Sequence, residues 1–277
     1  MKPIFMLNNP RSFSSVTCGM IGQHPELYGM PELSLFLEDT ISDLMTNIWS
    51  PGYLAGLVRA LAQLAHGNQE TESCLLTWQW LFNNREMSTL SVFNIIQNLA
   101  KKRVIEKSPT YVYNINNLYR LPEDAVFIHL VRHPATYKES LDEYFAFNKL
   151  PNDDPNYVLN SWVTNENNIE TFLNDLPDER KMLLRGEDVV SNPKVYLKKV
   201  CNFLQIDDNE ACIEAMMHPE NSPFACKGNK WASYGNDIFF CERPALRPSE
   251  VKPATLDGLP EDVIKLAIKY GYGDENA

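Results

Sequence analysis

Two hydrophobic periods alternate along this chain, and the changes of period mark its elements. Residues 3–8 (Pro-Ile-Phe-Met-Leu-Asn) form a short, unbroken apolar run, which predicts a buried strand. A helical pattern follows from about Ser15 to Gln23. Residues 33–100 carry apolar side chains at helical spacing, as in Leu54, Leu57, Val58, Leu61 and Leu64, with breaks at Ser50-Pro51-Gly52 and His66-Gly67-Asn68. Val104-Ile105 predicts a short strand. Ala125 to Val131 (Ala-Val-Phe-Ile-His-Leu-Val) is almost wholly apolar and predicts a central strand of a parallel sheet. Pro134 then suits the first position of a helix that runs from Ala135 to about Phe147. A polar loop spans Asn148–Pro155. Helices are expected at about 156–174 and 193–204, flanking a strand at Lys181–Leu184, and a last helix at 260–270. Between them, residues 218–257 are rich in Pro, Gly and Asn and read as a long loop folded over something. Strands alternating with helices give an α/β fold with a central parallel sheet, and ligands then sit at the carboxyl ends of its strands.

Composition narrows the function. The chain has 277 residues, 44% of them hydrophobic, enough for one large domain or two small ones. No run of about 18 apolar residues predicts a membrane span. The N-terminus turns polar too soon for a secretory signal. The six cysteines are scattered without metal spacing, so they read as reduced, buried thiols of a cytoplasmic protein, and no metal site is expected. A net charge of −11 argues against nucleic acid as a partner and allows a cationic small molecule.

Candidate chemistry begins at the first strand-to-helix turn. Arg11, Ser12, Ser14, Ser15 and Thr17 put one guanidinium and several hydroxyls at a helix start, the makings of an anion cradle. The same hydroxyls also suit ordinary helix capping. No G-x-x-x-x-G-K-[ST] is present, so this is not the phosphate loop of ATP-hydrolysing proteins. A second constellation favours the cradle. Arg132 ends the central strand, and Ser140 lies roughly 9 Å along the helix after Pro134 at 1.5 Å per residue. An arginine and a serine so placed can converge on one phosphate. Two such sites on one sheet imply a ligand with two separated phosphate-like groups.

Together these segments resemble the sulfotransferases that use 3′-phosphoadenosine-5′-phosphosulfate (PAPS). The resemblance is carried by Pro10-Arg11-Ser12-x-Ser14-Ser15, His24-Pro25-Glu26-Leu27 with Pro31-Glu32-Leu33, and Glu106-Lys107-Ser108-Pro109. It continues through Arg132-His133-Pro134 with Ser140, Glu187-Asp188-Val189 with Pro193 to Leu204, and Lys227-Gly228-Asn229-Lys230. It implies a P-loop-NTPase-like sulfotransferase fold in a single domain over residues 1–277. A helical insert at about 33–100 would face the acceptor, and a loop at about 218–257 would cover the nucleotide. The likeness points to stand-alone cyanobacterial-type enzymes of natural-product pathways, of the saxitoxin or the polyketide kind.

The resemblance assigns roles. Arg11, Ser12, Phe13, Ser14, Ser15 and Val16 would hold the 5′-phosphosulfate. Arg132 and Ser140 would hold the 3′-phosphate, and Lys227, Gly228, Asn229 and Lys230 would close over the nucleotide. Lys107 would stabilise departing 3′,5′-ADP, Arg11 would meet charge on the leaving group, and Glu32 would be the general base. Related enzymes with a histidine base show a K-x-H spacing that is absent here. His129, inside an apolar strand, reads as a core histidine, and His133 as a neighbour of the site. The family usually has Gly at the position of Phe13, so Phe13 must take an ordinary φ or bear strain, with its ring directed toward the acceptor pocket. Acceptor specificity is expected from the insert, where Glu38, Asp39, Asp43, Trp49, Tyr53, Trp78 and Trp80 suit a cation, and from Asn148–Pro155. The leading acceptor is a saxitoxin-like guanidinium alkaloid, with a polyketide hydroxyl as the alternative. A nucleotide or small-molecule kinase and a non-catalytic nucleotide-binding regulator remain open as other readings.

Overall fold

A computed structural model describes residues 1–47, 51–149, 154, 156–225, 238–248 and 251–273. Five strands form one sheet: β1 (Ile4–Leu7), β2 (Leu27–Gly29), β3 (Arg103–Lys107), β4 (Val126–Val131) and β5 (Lys181–Arg185). Their order is β2-β3-β1-β4-β5, and every pairing is parallel. The α/β expectation therefore holds. Strand β2 has no counterpart in the sequence reading, because Leu-Tyr-Gly is too short to show a period. β3 is longer than the two residues expected and carries Lys107 as its last residue.

The helices are α1 (Ser14–Ile21), α2 (Ile41–Asn47), α3 (Ala55–His66), α4 (Thr71–Asn83), α5 (Thr89–Ala100), α6 (Ile115–Leu118), α7 (Pro134–Asn148), α8 (Tyr157–Asn174), α9 (Gly186–Ser191), α10 (Pro193–Leu204), α11 (Glu210–Met216), α12 (Ile238–Glu242) and α13 (Glu261–Lys269). The short helices α6, α9, α11 and α12 escape periodicity analysis. α12 lies inside the stretch read as loop. The break after His66 is a glycine stop: Gly67 takes φ 73° and its N–H bonds Gln63 O.

Both faces of the sheet are covered, so strand residues divide by parity. Phe5, Val104 and Phe127 pack with residues of α3, α5 and α8. Ile4, Met6, Ile105, Ile128 and Leu130 pack with residues of α1, α10 and α11. Phe5 pairs with Glu106, and Met6 with Lys107. Glu106 and Lys107, being neighbours on one strand, thus leave it on opposite faces, Lys107 on the α1 side. A third apolar cluster joins α7, α8 and α13. A buried arginine ties the helices after β2 to the C-terminal part: Arg59 Nε donates to Gln69 Oε1 at 2.8 Å and Nη2 to Phe224 O at 3.3 Å. Gln69 Nε2 donates to Pro223 O at 2.7 Å.

Among the described residues, no helix is long and apolar enough to cross a membrane. Cys18, Cys201, Cys212 and Cys241 are buried free thiols and Cys74 is half-buried. Burial pushes the Cys18 thiol up to about 12, which leaves it unreactive near neutrality.

Candidate active site

Each strand end delivers residues to one edge of the sheet, the place where open α/β folds bind ligands. Asn9 follows β1 and is fully buried. Its amide donates to Glu166 Oε1 at 2.8 Å and its oxygen accepts from Asn165 Nδ2 at 2.7 Å, both on α8. Glu166 Oε2 also lies 2.7 Å from His129 Nε2, so His129 is a satisfied core histidine. His133 accepts the Ala135 N–H at 3.2 Å and caps α7. His24 lies 2.7 Å from Asp207 O and also serves structure.

The loop then turns through two left-handed residues, Arg11 at φ 63° and Phe13 at φ 61°. Each costs about 1–2 kcal/mol in a non-glycine residue. Phe13 is the N-cap of α1, and its side chain makes no capping hydrogen bond. Ser12 Oγ and Thr17 Oγ1 are buried with no hydrogen-bond partner among the described residues. The first N–H groups of α1 lack intrahelical partners by construction, and they favour an anion. The Phe13 ring packs on two neighbours at the edge of a cavity. It lies under the Arg132 guanidinium, 4.5 Å from ring centroid to Cζ, and against Gly186. A Cβ on Gly186 would come within 2.7 Å of that ring and 2.9 Å of Ser12 O, so only glycine admits this packing.

Arg11 Nε is 3.3 Å from Ser140 Oγ, and Arg132 Nη1 donates to Arg11 O at 2.5 Å. The sequence-predicted pair Arg132 and Ser140 is thus brought onto the first loop. Burial lowers the Arg132 pKa, against the pull of nearby Glu187. Glu187 accepts the His133 N–H and the Tyr272 hydroxyl, each at 2.9 Å. A cavity of about 500 Å³ opens here, lined by Arg11, Phe13, Ser15, Val16, Arg132 and Ser140. The C-terminal segment adds Phe240, Leu246 and three basic residues, Arg243, Arg247 and Lys252. Those three were missed from sequence, where their spacing in an aperiodic stretch was the one available sign. Glu139, opposite, is paired with Lys252 at 2.8 Å. Lys227, Gly228, Asn229 and Lys230 lie outside the described residues.

At the floor of the site, Lys107 is 1% exposed. Its Nζ donates to Ser15 Oγ at 2.9 Å and to Glu32 Oε1 at 2.5 Å. Three predicted residues from three strand ends thus meet at one ammonium. Glu32 is 27% exposed. Desolvation first, and neighbouring tyrosines and the Glu32 charge after it, raise the phenols of Tyr53 and Tyr113. Tyr137 and Tyr157 neighbour Tyr113 in turn, and only Tyr53 of this group was singled out from sequence. Other residues expected to face an acceptor serve locally. Asp39 pairs with Arg120, Asp43 accepts from Thr40, Glu38 accepts from Asn47, and Trp80 packs on the core. Trp78 is partly exposed on α4. Trp49 and residues 150–153 and 155 lie outside the described residues.

A parallel sheet in this order, with a basic cavity beside the start of α1, defines an α/β protein of the kind whose ligands sit at the strand ends. A model of the sulfotransferase family matches residues 3–210, and the chain belongs to that family, a family of enzymes that transfer sulfuryl groups. The structure resembles the sulfotransferase domain from the curacin biosynthetic pathway, with 25% identity and a TM-score of 0.81 over 98% of each chain. It resembles the sulfotransferase domain of the Synechococcus PCC 7002 olefin synthase, with 27% identity and a TM-score of 0.78, over 98% of this chain and 95% of the other. A mouse sulfotransferase solved with PAP shares the fold at 15% identity and a TM-score of 0.53, over 97% of this chain and 82% of the other. No curated protein sequence matches the chain.

Proposed function

We propose that this sulfotransferase takes the sulfuryl group from PAPS and passes it to a hydroxyl or nitrogen of a small natural product, first of all a guanidinium alkaloid of the saxitoxin type. One observation carries the reading: Lys107 is bonded at once to Ser15, which lines the basic cavity, and to Glu32 outside it. The cavity suits the donor. Its volume lies within the range of about 300–1,000 Å³ usual for small-molecule sites, and its lining is rich in arginine. The buried Ser12 hydroxyl has no hydrogen-bond partner among the described residues, and the first N–H groups of α1, which its N-cap residue does not cap, favour an anion. Arg11, Ser12, Phe13, Ser14, Ser15 and Val16 hold the phosphosulfate end, and Arg132 and Ser140 the 3′-phosphate.

Transfer is an in-line displacement. The acceptor oxygen or nitrogen bonds to sulfur as the bond from sulfur to the phosphate oxygen breaks. Glu32 accepts the acceptor's proton through Oε2, while Lys107 holds its Oε1. Lys107 and Arg11 neutralise charge gathering on the leaving 3′,5′-ADP. The acceptor reading draws support from the tyrosines grouped near Glu32 and from the net charge of −11, both suited to a cation. A polyketide hydroxyl is the second reading, favoured by the likeness to the curacin and olefin synthase domains.

Mass spectrometry of PAPS reactions with both acceptor classes tests the proposal, the expected product gaining one sulfuryl group. Thermal shift separates the competitors, since a ligand at 100 times its Kd stabilises by about 2.7 kcal/mol. Stabilisation by 3′,5′-ADP is expected. Stabilisation by ATP with magnesium alone would turn the assignment to a kinase. Binding of 3′,5′-ADP without sulfation of any acceptor would turn it to a non-catalytic regulator.

A further inference from the structure

We infer that Glu106, Ser108 and Tyr111 are positioning residues: their side chains hang the 33–36 backbone from the end of β3 and so fix Glu32 against Lys107. The inference rests on the reading of Glu32 as the base.

The bonding pattern changes abruptly along this edge. Up to Met30 the chain pairs with β3 through backbone, as Met30 N–H donates to Ile105 O at 2.9 Å. Beyond Pro31 and Glu32, the acceptors become side chains. Leu33 N–H donates to Glu106 Oε1 at 3.0 Å, and Ser34 N–H to Ser108 Oγ at 2.9 Å. Leu35 N–H donates to the Tyr111 hydroxyl at 3.0 Å, and Phe36 N–H reaches the same oxygen at 3.5 Å. The Ser108 hydroxyl donates in turn to Glu106 Oε1, which couples the first two teeth of this comb. Four consecutive amides are thus met by three side chains, all of them buried.

A run of backbone amides in the interior must find acceptors. Here no strand supplies them, because Ser34 takes the left-handed φ of 49° and cannot continue a ladder. Such a conformation in a non-glycine residue persists where the surroundings over-determine it. The comb does so, and Glu32 is the residue directly before it. Parity on β3 completes the device. Glu106 and Lys107 leave the strand on opposite faces, so one strand end holds both the ammonium and the anchor of its carboxylate partner.

Positioning differs from bulk stability in what it moves. Tyr111→Phe removes one oxygen, and Glu106→Leu removes an acceptor of similar size, while Glu106→Gln keeps one. Steady-state kinetics at saturating PAPS, 3′,5′-ADP affinity and combination with Glu32→Gln form the test. Tyr111→Phe and Glu106→Leu are expected to lower kcat by about tenfold to a hundredfold, the scale of a misplaced catalytic group. Affinity for 3′,5′-ADP should change by less than about twofold, and Glu106→Gln should return kcat to within about threefold. In the Glu32→Gln background, the same substitutions should cause no further loss. Full kcat in Tyr111→Phe and Glu106→Leu, or an equal loss with Glu32 already replaced, overturns the inference alone. Full kcat in Glu32→Gln overturns the base assignment and the inference with it. If Glu106→Leu does not fold, Tyr111→Phe carries the test.

Discussion

The rim and the floor of this site are built in contrasting ways. At the rim, long basic side chains arrive from loops and helix ends: Arg11 after β1, Arg132 after β4, and Arg243, Arg247 and Lys252 from the C-terminal segment. Among the described residues, exposed Glu139 pairs with Lys252, and Glu187 acts on Arg132. At the floor, Lys107 is carried by a strand, is almost fully buried, and is bonded at fixed distances to Ser15 and Glu32. The rim can adapt to an anion that comes and goes. The floor is fixed before any ligand arrives. The comparison teaches where binding and chemistry should separate: substitutions at the rim should act on affinity, and substitutions at the floor on turnover.

The sharpest way to break that comparison is Lys107→Ala. Losing one preorganised donor should lower kcat by about 10²–10³-fold, with 3′,5′-ADP affinity changed by less than about threefold. Isothermal titration beside steady-state kinetics checks both halves, and a lost affinity with intact kcat would reverse the roles of floor and rim.

The floor also predicts a stability signature. Burial pushes the Glu106 carboxyl up to about 7 from its ordinary 4.5. Between these values the folded state keeps a proton that the unfolded chain has released, so stability falls as pH rises through the window. The loss is about 3 kcal/mol by linkage, fully spared below the lower value. Glu106→Gln cannot titrate. Its melting temperature, followed from pH 4 to 8, should lose that part of the slope, and an unchanged slope would contradict the burial argument.

At the rim, Arg132→Ala should raise the Kd of 3′,5′-ADP by about tenfold to a hundredfold, the worth of charged hydrogen bonds of about 1.5–3 kcal/mol. Turnover at saturating PAPS should fall by less than about threefold. The smallest effect belongs to the exposed Lys252–Glu139 pair. Lys252→Ala should change the KM for PAPS by less than about threefold, with the difference fading in high salt. A larger, salt-resistant change would place Lys252 among the fixed groups.

The two regions also differed in how far the sequence revealed them. Arg11 and Arg132 stand at strand-to-helix transitions and Ser140 on the helix that follows the second, and local pattern found those transitions. The central strand β4 and helices such as α8 and α10 were legible because their periods run long enough to count. β2 was hidden by its three residues. The anchors of the floor were hidden for another reason. Glu106, Ser108 and Tyr111 act on residues 73, 74 and 76 positions away, and nothing local to either segment announces the pairing. Phe13 was visible as an anomaly, yet its packing on Gly186 and Arg132 joins three distant loops. Period reports an element. It does not report which buried polar atom answers which amide.

The buried Arg59 sets a rule for anyone who would graft a new acceptor preference onto this frame. Its guanidinium and the neighbouring Gln69 grip the carbonyls of Pro223 and Phe224. Exchanging residues 33–100 with those of a relative would cut that grip and take the Arg59 donor from the carbonyl of buried Phe224, at a cost of about 1–3 kcal/mol. The exchangeable cassette therefore has two pieces, and the segment from 218 to 225 must travel with the helices that hold it.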